Sequence, residues 1–252
     1  MPEDLTPRQR ARFEGLVASG YLPTLEEMAK SLTAPFWWHD SRRPPGDQFL
    51  KGGTICFVDT GKRLLGVTAA HVHTGGMAAL KGSPYIGCQI GGHSFDPERS
   101  LLAIDEQLDL AVYSLSEIQV SAALAHIHHA PVWPPKVDDN DAHIVGGWLW
   151  SLKEEGEGET THSFLHVIAR LSSHSETKLG IVIAMSTSVA WGRNDLPRGT
   201  NLGGMSGGPV YRVSETGLFQ LTLVGIVYEF QPSFGITLAR PLSLIDDLGR
   251  II

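Results

Sequence analysis

Short apolar runs separated by turn residues fill the chain from about residue 48 onward. They fall at 53–59, 64–68, 85–90, 108–115, 143–150, 164–171, 180–185, 209–213, 219–228 and 235–239. Their β-branched and aromatic content predicts strands. Many short strands at this spacing predict a sandwich or barrel architecture. The prolines of 130–141 (APVWPPKVDDND) disfavour ladder pairing and mark a connector. The runs then divide into a first unit over about 48–125 and a second over about 140–240. The acidic, glycine-containing stretch 153–161 reads as a solvated hairpin tip.

The first 47 residues follow a different period. Thr6 can cap a helix with Pro7 at its first position, followed by Phe13, Leu16 and Val17 at helical spacing and Gly20 as a stop. Thr24 with Glu27 forms a capping-box pattern for a second helix whose apolar face is Leu25, Met28, Ala29 and Leu32. Residues 41–46 (SRRPPG) read as a linker. The segment 1–47 is thus expected to be a helical extension, serving either for packing or for docking a regulatory protein. Residues 241–252 are expected to include a short terminal helix.

Charge narrows the partners. The formal net charge of −7 argues against general nucleic-acid binding, which needs a concentrated positive surface. No run approaches the length of a membrane span. Residues 1–20 hold no continuous apolar core of a secretory leader. The two cysteines, Cys56 and Cys88, read as buried free thiols. Together these features predict a cytoplasmic protein with neither a nucleic-acid nor a membrane partner.

Chemistry concentrates in Gly203-Gly204-Met205-Ser206-Gly207-Gly208. Glycines adopt backbone conformations closed to other residues. Such a turn can aim several N–H groups into one concavity, next to the serine hydroxyl. Two further segments complement it. His71 follows the apolar run 64–68, and Asp109 opens the run before Val112. Either alone would be an ordinary turn or core residue; the three together suit nucleophilic catalysis. The eleven histidines include an HxH at His71 and His73, which on a strand would share a face. The bland reading, a single base among surface and core histidines, outweighs a metal site, so no metal is expected.

The segments TAAH (68–71), DLAV (109–112) and GMSGGPV (204–210) resemble the signature segments of the trypsin- and chymotrypsin-like serine proteases. The order and spacing agree, with 38 residues from His71 to Asp109 and 97 from Asp109 to Ser206. The resemblance covers about 48–245. It implies an all-β fold of two six-stranded antiparallel β-barrels in one protease domain, 48–252. It also implies a serine endopeptidase acting on a protein or peptide substrate without cofactor or metal. Ser206 would be the nucleophile, His71 the base and Asp109 its orienting partner, with the Gly204 and Ser206 N–H groups forming the oxyanion hole. Substrate binding would fall to Thr200, Asn201, Gly203, Tyr228, Glu229 and Phe230.

Several positions depart from the family pattern. Met205 stands where many secreted relatives carry the aspartate that receives a freed N-terminus, so activation by terminal insertion is not expected. Val72 replaces a disulfide cysteine. Tyr228 replaces a serine that supports the catalytic aspartate, and Phe230 replaces a glycine that keeps the specificity pocket open. Thr200, at the expected pocket floor, carries no charge, which predicts small or medium uncharged side chains at the cleavage site. Tyr228 and Phe230 also keep an alternative open: a protease-like binding or regulatory module with a blocked or partner-gated site.

Overall fold

In the computed structural model, residues 7, 11, 14–15, 18–44, 47–155, 160–182, 189–190, 202–215, 219–231 and 235–252 are described. The helix expected around Phe13 falls largely outside them. The elements run α1 (Leu22–Ser31), β1 (Thr33–Asp40), β2 (Phe49–Asp59), β3 (Leu64–Thr68), α2 (Ala70–Gly82), β4 (Ile86–Ile90), β5 (His93–Ser94) and α3 (Pro97–Ser100). Next come β6 (Leu101–Asp105), β7 (Leu110–Ser114), α4 (Glu117–Ala122), β8 (His128–His129), β9 (Ala142–Glu155), β10 (Thr160–His174), β11 (Leu179–Val182) and β12 (Val189–Ala190). The chain continues through β13 (Pro209–Glu215), β14 (Phe219–Gln231) and β15 (Ile236–Pro241) to a 3₁₀ turn at Leu242–Leu244.

The strands make two sheets. The second is a closed antiparallel barrel: β11, β15, β14, β13, β9 and β10 pair in that order, and β10 pairs back onto β11. The first has the order β5-β4-β1-β2-β3-β7-β6, with β8 added in parallel to β2. No pairing closes it among the described residues. One closed six-stranded barrel beside a second sheet, with few helices, is consistent with the chymotrypsin-like fold.

Alternation explains why the two sheets pack. In β2, Ile55 and Phe57 enter the core of the first sheet, together with Phe36, Trp38 and Tyr113. Cys56 and Val58 face the other way, into a core shared with Ile144, Phe164, Tyr211 and Ile226 of the barrel. All four are completely buried. A strand sealed on both faces reads as a continuous apolar run, which is how 53–59 appears in the sequence. The barrel interior is a third cluster, built on Val145, Leu165, Val167, Val210 and Val224.

Three expectations need correction. The segment 1–47 is not a separate helical extension, because Thr33–Asp40 is a strand inside the first sheet, paired with both β2 and β4. Its burial alternates, with Ala34, Phe36 and Trp38 inward; that period of two went unread beside the helical pattern preceding it. Helix α1 begins at Leu22, not Thr24, and packs Leu25, Ala29 and Leu32 into the shared core while Met28 stays exposed. The terminal helix expected at 241–252 is only the 3₁₀ turn and an Ile245–Ile251 bridge. There the Asp246 carboxylate accepts the Leu248 and Arg250 N–H groups, a side-chain alternative to helical pairing. Cys56 and Cys88 are both free and buried. No helix among the described residues is long and apolar enough to cross a membrane.

Two buried histidines make folding pH-dependent. Burial, reinforced by the Arg212 charge and opposed by Asp138, holds His143 down to about 4. Burial and the neighbouring His129 hold His128 down to about 4, and its Nε2 accepts the Leu223 N–H, which requires the neutral ring. Between about pH 6.5 and 4 the unfolded chain therefore binds protons that the native state refuses, so stability falls as the pH falls. Urea unfolding should show a loss of about 2 kcal/mol per histidine between pH 7.5 and 5. His143→Leu should flatten that dependence; an unchanged pH slope in this variant would contradict the assignment.

Candidate active site

Ser206 lies in a turn, 202–208, fixed from below. The Ser206 carbonyl accepts the Thr54 N–H at 2.8 Å, and the Gly204 carbonyl accepts the Thr54 hydroxyl at 2.9 Å. The Gly203 carbonyl accepts the Trp150 N–H, the Gly207 carbonyl the Cys56 thiol and the Gly208 carbonyl the Val227 N–H. The path needs positive φ at Gly204 (103°) and Gly207 (84°), where an L side chain would be strained. Met205, which precedes the serine, is buried in the barrel core.

The N–H groups of the turn are spent unequally. Met205 donates to the Leu202 carbonyl, Gly207 to Val227 and Gly208 to Met205. Among the described residues, the N–H groups of Gly204 and Ser206 have no acceptor. Two such free donors beside one serine hydroxyl are the elements of an anion site.

His71 sits in the first turn of α2, just past β3. Helix α2 is tied to β7 through His73, whose Nδ1 lies 2.7 Å from the buried Tyr113 hydroxyl. His71 and His73 are therefore two helix positions apart on different faces, not a shared strand face. Asp109 closes the β6–β7 turn, in which the Asp105 carboxylate accepts the Gln107 and Leu108 N–H groups, each at 2.8 Å. Asp109 itself is left-handed, with φ of 53°.

That conformation delivers its carboxylate to His71. One oxygen accepts the His71 backbone N–H at 2.8 Å, and the other lies 2.7 Å from Nδ1. Burial pulls the Asp109 carboxyl upward, but the side-chain and backbone hydrogen bonds of His71 and the charges of His71 and Arg240 hold it below its ordinary value. An ionised carboxylate at Nδ1 fixes the proton on that nitrogen and leaves Nε2 as an acceptor.

The two halves meet at Gly53. A methyl group there would stand 2.5 Å from the Ser206 carbonyl oxygen and 2.6 Å from Val72 Cγ2. The Ser206 turn is therefore one small residue away from the residue that follows His71. The backbone N–H and Nδ1 of His71 both pair with Asp109, and among the described residues no hydrogen bond joins His71 to Ser206. A cleft of about 340 Å³ beside them is lined by His71, Glu106, Asp109, Tyr228, Glu229 and Arg240, among others.

Of the residues expected to bind substrate, Tyr228 and Glu229 line this cleft. Phe230 instead packs against the barrel core, and Gly203 is exposed on the turn. Thr200 and Asn201 lie outside the described residues. Sequence reading missed Thr54 and Arg240. For Thr54 a signal existed: a polar residue inside the buried run 53–59 must find partners.

No family model matches the chain, and no curated protein matches it. A solved structure described as the atomic resolution structure of HBP matches 86% of this chain and 88% of its own, at 12% identity with a TM-score of 0.49. The strand pairings, not this likeness, carry the fold.

Thr54 is fully buried, and its hydroxyl also accepts the Trp148 N–H at 2.8 Å. Thr54→Val keeps the volume but orphans the Gly204 carbonyl and the Trp148 N–H. Urea denaturation should show a loss of about 2–4 kcal/mol. Thr54→Ser should lose less than half as much. Equal losses in the two variants would show that packing, not the hydroxyl, is at work.

Proposed function

We propose that the chain is a serine endopeptidase. The observation that carries this reading is the pair of N–H groups, Gly204 and Ser206, unspent among the described residues, on a turn pinned beside the His71–Asp109 pair. A serine hydroxyl is a weak nucleophile until a base takes its proton. His71 Nε2 takes that proton as Ser206 Oγ attacks a peptide carbonyl, then returns it to the leaving amine. Asp109 holds the imidazole in the tautomer this requires and offsets the positive charge that develops on it. The Gly204 and Ser206 N–H groups receive the oxyanion, a contribution of about 3–4 kcal/mol per donor in such sites. Hydrogen bonds between base and nucleophile are often long before substrate binds and tighten in its complex, which accommodates the open His71–Ser206 geometry.

The rest of the site qualifies the substrate. With Phe230 packed on the barrel core and no charge at Thr200 or Asn201, the side chain at the cleaved bond is small or medium and uncharged. Met205 is buried among apolar residues, so no ion pair with a freed terminal amine forms there and the full-length chain is active. The compartment consistent with two free cysteines is cytoplasmic.

Labelling with a fluorophosphonate, which traps an activated serine, tests the reading. Wild type should carry one adduct, on Ser206, and Ser206→Ala none. Asp109→Asn should slow labelling by on the order of 10³–10⁴-fold. A folded wild type that takes no label would overturn the assignment.

A further inference from the structure

Asp109 adopts a left-handed conformation that a non-glycine residue avoids, and its immediate turn does not explain what holds it. The Asp105 carboxylate organises the start of the turn by binding the Gln107 and Leu108 N–H groups. The carbonyls of the same two residues point elsewhere, and both end on one side chain. Arg240 of β15 donates from Nε to the Leu108 carbonyl at 2.5 Å and from one terminal nitrogen to the Gln107 carbonyl at 3.4 Å. Its other terminal nitrogen donates to the Thr177 carbonyl at 2.8 Å, in the turn joining β10 to β11.

The guanidinium also lies over an aromatic ring: its central carbon is 4.2 Å from the Tyr228 centroid. Tyr228 belongs to β14, the neighbour of β15 in the barrel. Arg240 thus joins three carbonyls and one ring, crossing from the barrel to the first sheet at the residues next to Asp109. A planar fork of N–H donors suits this role; an ammonium group does not, because it lacks the flat face and the fixed donor directions. Its charge lies close enough to Asp109 to favour the carboxylate.

The geometry points to Arg240 as the positioning residue for the proposed reaction: by clamping the Gln107–Leu108 carbonyls it holds Asp109 in the conformation that binds His71. This rests on the assignment of Ser206, His71 and Asp109 given above. Tyr228 takes part as the ring over which the guanidinium is held. Among the described residues, Arg240 makes no hydrogen bond to Ser206.

Two readouts separate this role from a merely structural one. A long-range ¹H–¹⁵N correlation of the histidines reports which nitrogen of His71 carries the proton in the neutral ring, whether or not the protein is active. Wild type should show the Nδ1–H form alone, and Asp109→Asn should lose it. Arg240→Gln should give a mixture of tautomers and label with fluorophosphonate roughly 10- to 100-fold more slowly, with an unchanged circular dichroism spectrum. Arg240→Lys keeps the charge but not the fork, and should recover only part of the rate. If Arg240→Gln does not fold, Arg240→Lys decides: a fall of at least about threefold with a mixed tautomer supports the role, and wild-type behaviour overturns it. A single Nδ1–H tautomer and wild-type labelling in folded Arg240→Gln would also overturn it. If wild type takes no label, the protease assignment fails, and the tautomer comparison alone still decides for or against Arg240.

Discussion

Thr54 is the joint on which the candidate site depends. It lies in a strand sealed on both faces, so every polar atom it carries must be matched inside the protein. Its N–H goes to the Ser206 carbonyl and its hydroxyl to the Gly204 carbonyl and the Trp148 N–H, while its own carbonyl takes the Thr68 hydroxyl. One residue of the first sheet thereby fixes the serine turn, a strand of the barrel and the end of β3. With carbonyls of the turn drawn onto this residue and its neighbours, the N–H groups of Gly204 and Ser206 are left without acceptors among the described residues. The proposed anion site would then be a consequence of satisfying buried groups elsewhere.

The same joint leads to His71. Thr68 ends β3 and His71 follows three residues later in the first turn of α2, so the anchoring of β3 at Thr54 also anchors the helix that carries His71. The helix is held a second time by His73 against Tyr113, in the strand that follows Asp109. His71 and Asp109 are therefore positioned through one sheet, and Ser206 through the contact between sheets. Residues at that contact, such as Gly53, have no room for a side chain. The Asp109 turn receives support from the barrel through Arg240.

Much of this was legible in the sequence, for local reasons. Runs such as 64–68 and 209–213 declared themselves because strand alternation and turn residues are encoded within a few positions. Ser206 stood out because glycines crowded around a serine have few other uses. The strand Thr33–Asp40 was hidden because its alternation begins directly after a helix and includes Pro35 and two adjacent tryptophans. The expected terminal helix gave way to side-chain bonds of Asp246. Thr54 and Arg240 act across 150 and 132 residues of sequence. Partners so distant leave no periodic trace, and only the assembled sheets reveal them.

The central claim is that the turn held by Thr54 presents the Gly204 and Ser206 N–H groups to a charge that develops next to His71. A crystal structure of the protein with a peptide boronate on Ser206 tests it most directly, since the tetrahedral boron carries an oxygen where the oxyanion would form. The account predicts that oxygen within roughly 2.7–3.1 Å of both nitrogens, with His71 Nε2 turned toward the second boron oxygen. An adduct oxygen bonded to neither N–H, or a boronate attached elsewhere than Ser206, would contradict it.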